Sequence, residues 1–459
     1  MNKTQALPEI SSSQLRDRSY AARVNPQWIH LLNILDLNET YASCQGSELR
    51  TAGGRTILDL LSGYCVYNTG HNHPYIIAAL KEEMDRNGPT MLQSHVPALA
   101  ARLAERMIKL AGGNLEKVFF TSSGSEGIET VIKFARAHTG RAGLLYARDA
   151  FHRLTCGALS LMGESWWAQG FGPLLPHTEA VPFGDLEPLR EKLQSERFAA
   201  LVLEPVQAEA GIRVPDPEYL TQARALCSRH GTLLVMDEVQ TGLHRTGPFL
   251  ASHHFGIEPD MVVLAKALSG GLIPVGAVLV TQDVHKSVFS SLSRAFIHAS
   301  TFGENSLAMR AGLATLDVLE REELGRRATD LGERLRTALT HRLASFEMVE
   351  GVRGLGLLNG IAFRAPRGLR LKTLYHGFAK VHPGMFGQML VSRMFTSHDT
   401  LTQMCGNNYM VIKVAPPLVT SEEQLATFVE SMVELVKRIH SGFSFWREGL
   451  AMLPRAVRI

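Results

Sequence analysis

Cysteine is scarce in this chain. There are five in 459 residues (Cys44, Cys65, Cys156, Cys227 and Cys405), scattered and without a CxxC pair. An odd, dispersed set argues against a disulfide framework or a zinc site and fits reduced thiols in a cytosolic setting. Charge of one sign is also missing. The 47 Lys and Arg nearly balance the 44 Asp and Glu, leaving +3, too little to suggest nucleic acid or an anionic membrane as partner. No apolar run reaches the length of a membrane span, and the opening MNKTQALPEISSSQLRDRSY has no apolar core of signal-peptide type. The expectation is a cytoplasmic protein with no integral membrane segment and no metal site. Repeats and low-complexity tracts are absent as well. The composition, 45% hydrophobic and 20% charged, is that of an ordinary globular chain, with length for two or three domains.

The informative stretch is Leu233–Val280. It holds two short apolar runs, LLVM and MVVLA, the first ending at Asp237-Glu238 and the second at Lys266. Apolar runs of this length suit strands buried on both faces of a parallel sheet. The segment between them is long enough for a crossover, so Asp237 and Lys266 are expected just past the carboxyl ends of parallel strands, where open α/β sheets bind ligands. Charged residues are rarely buried without a partner or a function. A bound pyridoxal phosphate would supply the reason: a lysine amine for its aldehyde, and a carboxylate to keep its pyridine nitrogen protonated. Taken alone, the pair reads equally well as an ion pair at a strand end.

The neighbouring residues separate these readings. MDEVQTGLHRTG, then Pro259-Asp260, then LAKALSGG resembles the class III aminotransferases of pyridoxal-phosphate fold type I. The resemblance implies an α/β fold with a large domain built on a mostly parallel, seven-stranded sheet flanked by helices, and a smaller α+β domain. The expected division is an N-terminal arm and segment over 1–75, a large cofactor-binding domain over 76–320 and a small domain over 321–459. Residues 1–30 read as an arm that orders against a partner subunit.

Further site residues follow in chain order. Ser47–Leu61 has a hairpin pattern turning at Gly53-Gly54. In the loop after it the resemblance puts Tyr64 facing the substrate, with Tyr67, Asn68 and His71 as secondary candidates. Strand Val118–Phe120 turns through Thr121–Ser125 into a helix, and a small-residue turn at a helix start exposes N–H groups and a positive dipole end to a phosphate. There the resemblance assigns Ser123, Gly124 and Ser125, and leaves Glu126 and Glu129 open between a site role and a solvated or salt-bridged one. Phe151 and His152 fit the aromatic–His pair that stacks on the ring. Arg153 stands where glycine is usual, as a substrate-side cation or a solvated one. Strand Ala199–Leu203 brings Glu204 and Glu209 to the same edge, Glu204 among the cofactor set in a mainly structural role and Glu209 on the substrate side. Val239 would flank the ring and Gln240 bond its 3′ oxygen. Thr301 would hold the cofactor phosphate of the neighbouring subunit of a homodimer, although Glu304 and Ser306 replace the usual Gly and Pro.

Leu307–Leu343 reads as strongly helical, Gly351–Phe363 as glycine turns and a strand, and 364–385 as an inserted polar and basic loop. The tail from Ser441 reads as packing or partner surface. Lys413 stands where relatives acting on α-amino acids carry an arginine, whose two parallel hydrogen bonds to a carboxylate lysine cannot supply. The implied activity is ping-pong transamination between a primary amine (a diamine, an omega-amine, or one derived from a bulky apolar or hydroxylated aldehyde) and a 2-oxo acid or aldehyde, through a Schiff base on Lys266. The alternatives are an ornithine- or acetylornithine-type enzyme, or a same-fold racemase, aminomutase or decarboxylase.

Overall fold

The computed structural model describes residues 13–92, 94–163, 165–441, 445–447 and 449. Its largest sheet has seven strands in the order Lys117–Thr121, Gly276–Val280, Met261–Leu264, Leu233–Asp237, Phe198–Leu203, Gly143–Ala147, Thr178–Val181. Gly276–Val280 runs antiparallel to both neighbours, and the other pairings are parallel. The central strands are buried along their whole length, which is why they read as unbroken apolar runs rather than alternating ones.

Alternation is still present, divided between two cores. Leu201, Leu203, Leu234, Met236, Val262 and Leu264 pack on one face. Ala200, Val202, Val235, Val263 and Val278 pack on the other, against Ile128, Val131, Ile132 and Phe134 of helix Gly124–Thr139. Gly127 lets that helix lie close, because a Cβ there would come within 2.6 Å of a Val263 methyl. This contact fixes where the helix begins, and so where the Ser122–Ser125 turn sits relative to the strand ends.

Two four-stranded sheets complete the framework. In one, Tyr41–Gln45, Glu48–Thr51 and Thr56–Asp59 form the expected hairpin and pair in parallel with Thr400–Leu401. The other is antiparallel, in the order Val349–Leu355, Leu358–Phe363, Asn408–Val414, Gln403–Cys405.

Several expectations change. The arm contains helices Ser13–Arg23 and Pro26–Ile34, with Asn25 capping the second through the N–H groups of Gln27 and Trp28; residues 1–12 lie outside the described part. The long helix expected over Leu307–Leu343 is two, Ser306–Arg321 and Leu324–Leu343, parted at Glu323, whose φ of 48° is left-handed. The expected loop at 364–385 contains helix Leu369–Val381; its basic residues obscured the apolar spacing of Leu371 and Phe378, which are buried. In the tail, Phe445 and Trp446 are buried and pack on Phe386, with Phe378 also against Trp446, while 442–444 and 450–459 lie outside the described residues.

Arg245 links the three sheet regions. It is fully buried. Its guanidinium donates to the carbonyls of Leu357 and Pro416, to Asn68 Oδ1 at 2.6 Å and to Ser62 Oγ at 3.2 Å. These acceptors are all uncharged, and burial pulls its pKa down. Asn68 therefore belongs to the frame, as does His71, which bonds Asp59 at 2.7 Å and stacks on Tyr67. Removing the guanidinium strands several buried acceptors together. Arg245→Ala is expected to cost at least ~3 kcal/mol in urea unfolding. A loss below about 1 kcal/mol would contradict the role given to it.

Candidate active site

Asp237 ends the strand Leu233–Asp237 and is 2% exposed. One carboxylate oxygen bonds His152 Nδ1 at 2.8 Å. The other accepts the Val239 N–H at 3.2 Å and meets Arg153 Nη2 at 3.5 Å. Burial raises its pKa, but the Arg153 and His152 charges and these hydrogen bonds outweigh burial and hold it at about 2. It is therefore a permanent carboxylate. Glu204, also buried, goes the other way. Burial and the nearby Asp237 charge raise it to about 7, although it accepts the N–H groups of Phe151 and Ala208. Its two backbone contacts hold Phe151 in place.

Lys266 follows strand Met261–Leu264 and has a left-handed φ of 46°. Burial and the positive charge of Arg153 lower its amine to about 7, with Lys413 adding to the effect. It lines a cavity of about 420 Å³ together with Ser122–Ser125, Arg153 and Val239. Phe151 is not on that lining; its ring turns toward Trp167, with centroids 5.3 Å apart.

The Ser122–Ser125 turn is held by its own helix. Ser123 Oγ accepts the Glu126 N–H at 3.2 Å, and Glu126 accepts the Ser122 N–H at 2.8 Å. A Cβ on Gly124 would lie 3.2 Å from the Val239 methyls, so nothing larger than glycine keeps the wall open. Glu126 also accepts from Ser300 Oγ at 3.1 Å, tying the turn to the segment that carries Thr301. Thr301 itself is exposed and lines a second cavity, of about 640 Å³, with Leu92, Phe119, Phe296 and His298. Glu129 is half-buried and held in place, accepting from Thr155 Oγ1 and the Ala158 N–H.

A third cluster surrounds Glu209. Its carboxylate pairs with Lys413, accepts Gln240 Nε2 at 3.1 Å and accepts the Gly406 N–H at 2.7 Å. Burial raises Glu209, but Lys413 and Gly406 prevail and set it near 2; the same pairing overcomes burial to raise Lys413. Lys413 is wholly buried, with Tyr64 under its ammonium at 5.3 Å. Arg153 is not solvated: besides Asp237, it donates to the Phe151 carbonyl.

This donor set fits pyridoxal phosphate. A lysine amine and a helix start line one hollow, and the Asp237 carboxylate stands behind its wall, bonded to the lining residues Val239 and Arg153; these groups match an aldehyde, a phosphate and a protonated ring nitrogen. Gln240 Oε1 and His152 Nε2 are buried without a hydrogen-bond partner among the described residues. The sequence reading missed Gly406 and Asn407, although the Gly-Asn turn between two strands was a hairpin signal.

Known proteins agree with this geometry. The family described as aminotransferase class-III matches residues 36–436. Aminotransferase PigE of a Serratia species is 35% identical over 443 residues, 90% of this chain, which spans only 52% of PigE. Putrescine aminotransferase of Pectobacterium atrosepticum is 36% identical over 434 residues, covering 91% of this chain and 87% of its own. The crystal structure of ornithine aminotransferase from Toxoplasma gondii superposes with a TM-score of 0.82 at 25% identity, over 94% of this chain and 96% of that one.

The charge arrangement predicts a pH response in the cofactor-free protein. A neutral Lys266 amine is the nucleophile, so covalent capture of an aromatic aldehyde should rise with pH through a midpoint near 7. Arg153→Ala removes a positive neighbour and should move that midpoint upward. An unchanged midpoint would show that Arg153 does not act on Lys266.

Proposed function

The chain belongs to the class III aminotransferases, which are pyridoxal-phosphate enzymes, and from this we propose that it takes the amino group of a primary amine lacking an α-carboxylate and delivers it to a 2-oxo acid or an aldehyde. The observation that carries the donor class is the Lys413–Glu209 pair. The cation at the position that would grip an α-carboxylate is fully buried and already neutralised. Freeing it would leave Glu209 as an uncompensated buried charge. The name of one curated relative, a putrescine aminotransferase, supports the same donor class. The ornithine-type alternative draws support from the structural neighbour and from Tyr64, but it requires the carboxylate grip that this pair removes.

When bound, pyridoxal phosphate supplies an aldehyde that accepts an amine and a protonated ring that takes up negative charge. In this reading the Ser123–Ser125 turn holds the phosphate, Asp237 holds the proton on the ring nitrogen, and Val239 and Gln240 place the ring. His152 fixes the orientation of Asp237 and Glu204 that of Phe151. Arg153, which lines the hollow beside Lys266, would set a positive charge next to the reacting amine. Lys266 Nζ, close to neutral at physiological pH, takes the proton from the substrate carbon bearing the nitrogen and returns one in the reverse half.

The same reading makes the enzyme a homodimer. Leu92, Val96, Phe296, Ile297 and Phe302 are exposed, and Leu92 and Phe296 line the cavity that holds Thr301. A patch of this kind suits a second copy, which would bring Thr301 to its neighbour's phosphate. The five free cysteines suit a reducing, cytoplasmic compartment; among the described residues no helix is long and apolar enough to cross a membrane.

The test is the amine half-reaction, read as loss of the visible cofactor band. Hexylamine or putrescine should discharge the band faster than ornithine, and Lys266→Ala should slow discharge by about 10²–10⁴-fold or more. Ornithine outrunning both amines would transfer the enzyme to the amino-acid class.

A further inference from the structure

Three aromatic rings run outward from the site. Phe151 meets Trp167 edge to face at 5.3 Å, and Trp167 stacks on Trp166 at 3.9 Å. The inner ring belongs to the residue that precedes His152, the partner of Asp237. The outer ring is 52% exposed. A stacked tryptophan pair with one face left in water is a large apolar surface whose burial is still available to a ligand.

The middle ring is fixed from several directions. Trp167 Nε1 donates to Asn407 Oδ1 at 2.8 Å, and Asn407 Nδ2 donates to the Asp149 carbonyl at 2.8 Å. The Asn407 N–H bonds the Glu209 carbonyl. A Cβ on Gly406 would lie 3.3 Å from Trp167 Cζ2 and 3.1 Å from Glu209 Oε2, so the indole lies directly over the residue whose N–H holds Glu209. The row of rings thus abuts the Glu209–Lys413 cluster through the Gly406-Asn407 turn.

Among the described residues, the carboxylates along this path already have cationic partners. Glu209 is satisfied by Lys413, Asp149 by Arg213 at 3.0 Å, and Asp237 by His152 and Arg153. Arg153 and Lys413 add positive charge near the reacting end. Among the described residues these carboxylates are already paired, whereas a hydrocarbon chain meets aromatic surface, with exposed Leu154 beyond Arg153.

We propose that Phe151, Trp167 and Trp166 form a subsite for the apolar tail of the amine donor, so that the preferred donors are monoamines carrying an extended hydrocarbon or aromatic chain. This rests on the assignment of a primary-amine donor made above, and it adds the class of tail and the residues that select it.

The experiment uses the cofactor-loaded enzyme and the second-order rate constant for discharge of the visible band. The donors are propylamine, butylamine, pentylamine and hexylamine, with putrescine and ornithine alongside. Each buried methylene should raise the rate constant roughly two- to fourfold, so hexylamine should exceed propylamine by about tenfold or more and should also exceed putrescine. Trp166→Ala should reduce the hexylamine-to-propylamine ratio to roughly threefold or less, and Trp166→Phe should restore most of it. A purely structural Trp166 would lower all four monoamines together and leave the ratio intact. A flat series in the unaltered enzyme, putrescine ahead of hexylamine, or an unchanged ratio in Trp166→Ala would each overturn the subsite. If ornithine outruns every amine, the donor assignment itself fails, a result distinct from these.

Discussion

The structure depends on keeping one carboxylate charged at the end of a fully buried strand. Stripping water from Asp237 works against its charge, and His152, the Val239 N–H and Arg153 restore it. Two features of the fold supply these partners, His152 and Arg153 sharing one loop. His152 comes from the loop after strand Gly143–Ala147, and Val239 from the turn after Asp237 itself. Their convergence requires the parallel sheet to put these strand ends side by side. A charge held in this way favours any group that brings a proton to it, which is what a pyridine nitrogen does. Lys266, one strand over, is pushed the opposite way by burial and by the same guanidinium. Arg153 thus sharpens both residues at once.

The second buried charge arrangement decides selectivity rather than chemistry. Lys413, where the family resemblance implies an arginine in enzymes acting on α-amino acids, is here closed on Glu209, with Gln240 and Gly406 completing the shell. An ion pair so enclosed is worth little as net stability. Its consequence lies in what the site can no longer grip. With the carboxylate contact removed, binding energy for a donor has to come from apolar contact, and the tryptophans beside Gly406 are the surface available for it.

Much of this was legible in the residues. The apolar runs before Asp237 and Lys266 are readable because both faces of the central strands are covered, and the Ser-Gly-Ser turn because its helix has clear spacing. Where reading failed, the cause was usually a contact from elsewhere in the chain. Glu129 looked solvated because Thr155 and Ala158, its partners, are distant in sequence. Arg153 left two readings open, since only the fold brings it to Asp237. Arg245 carried a recognisable motif but no visible reason; its acceptors come from three separate segments. The helix at Leu369–Val381 was hidden by its own basic residues. The break at Glu323 has no glycine or proline to announce it.

The account rests on Lys266 and Asp237 serving opposite ends of one ring within one site. The direct measurement is to reduce the cofactor-loaded protein with borohydride, digest it, and locate the attached pyridoxyl group by mass spectrometry. The account predicts the group on the peptide containing Lys266 and on that side chain. A pyridoxyl group on another lysine, or none on any, would contradict it.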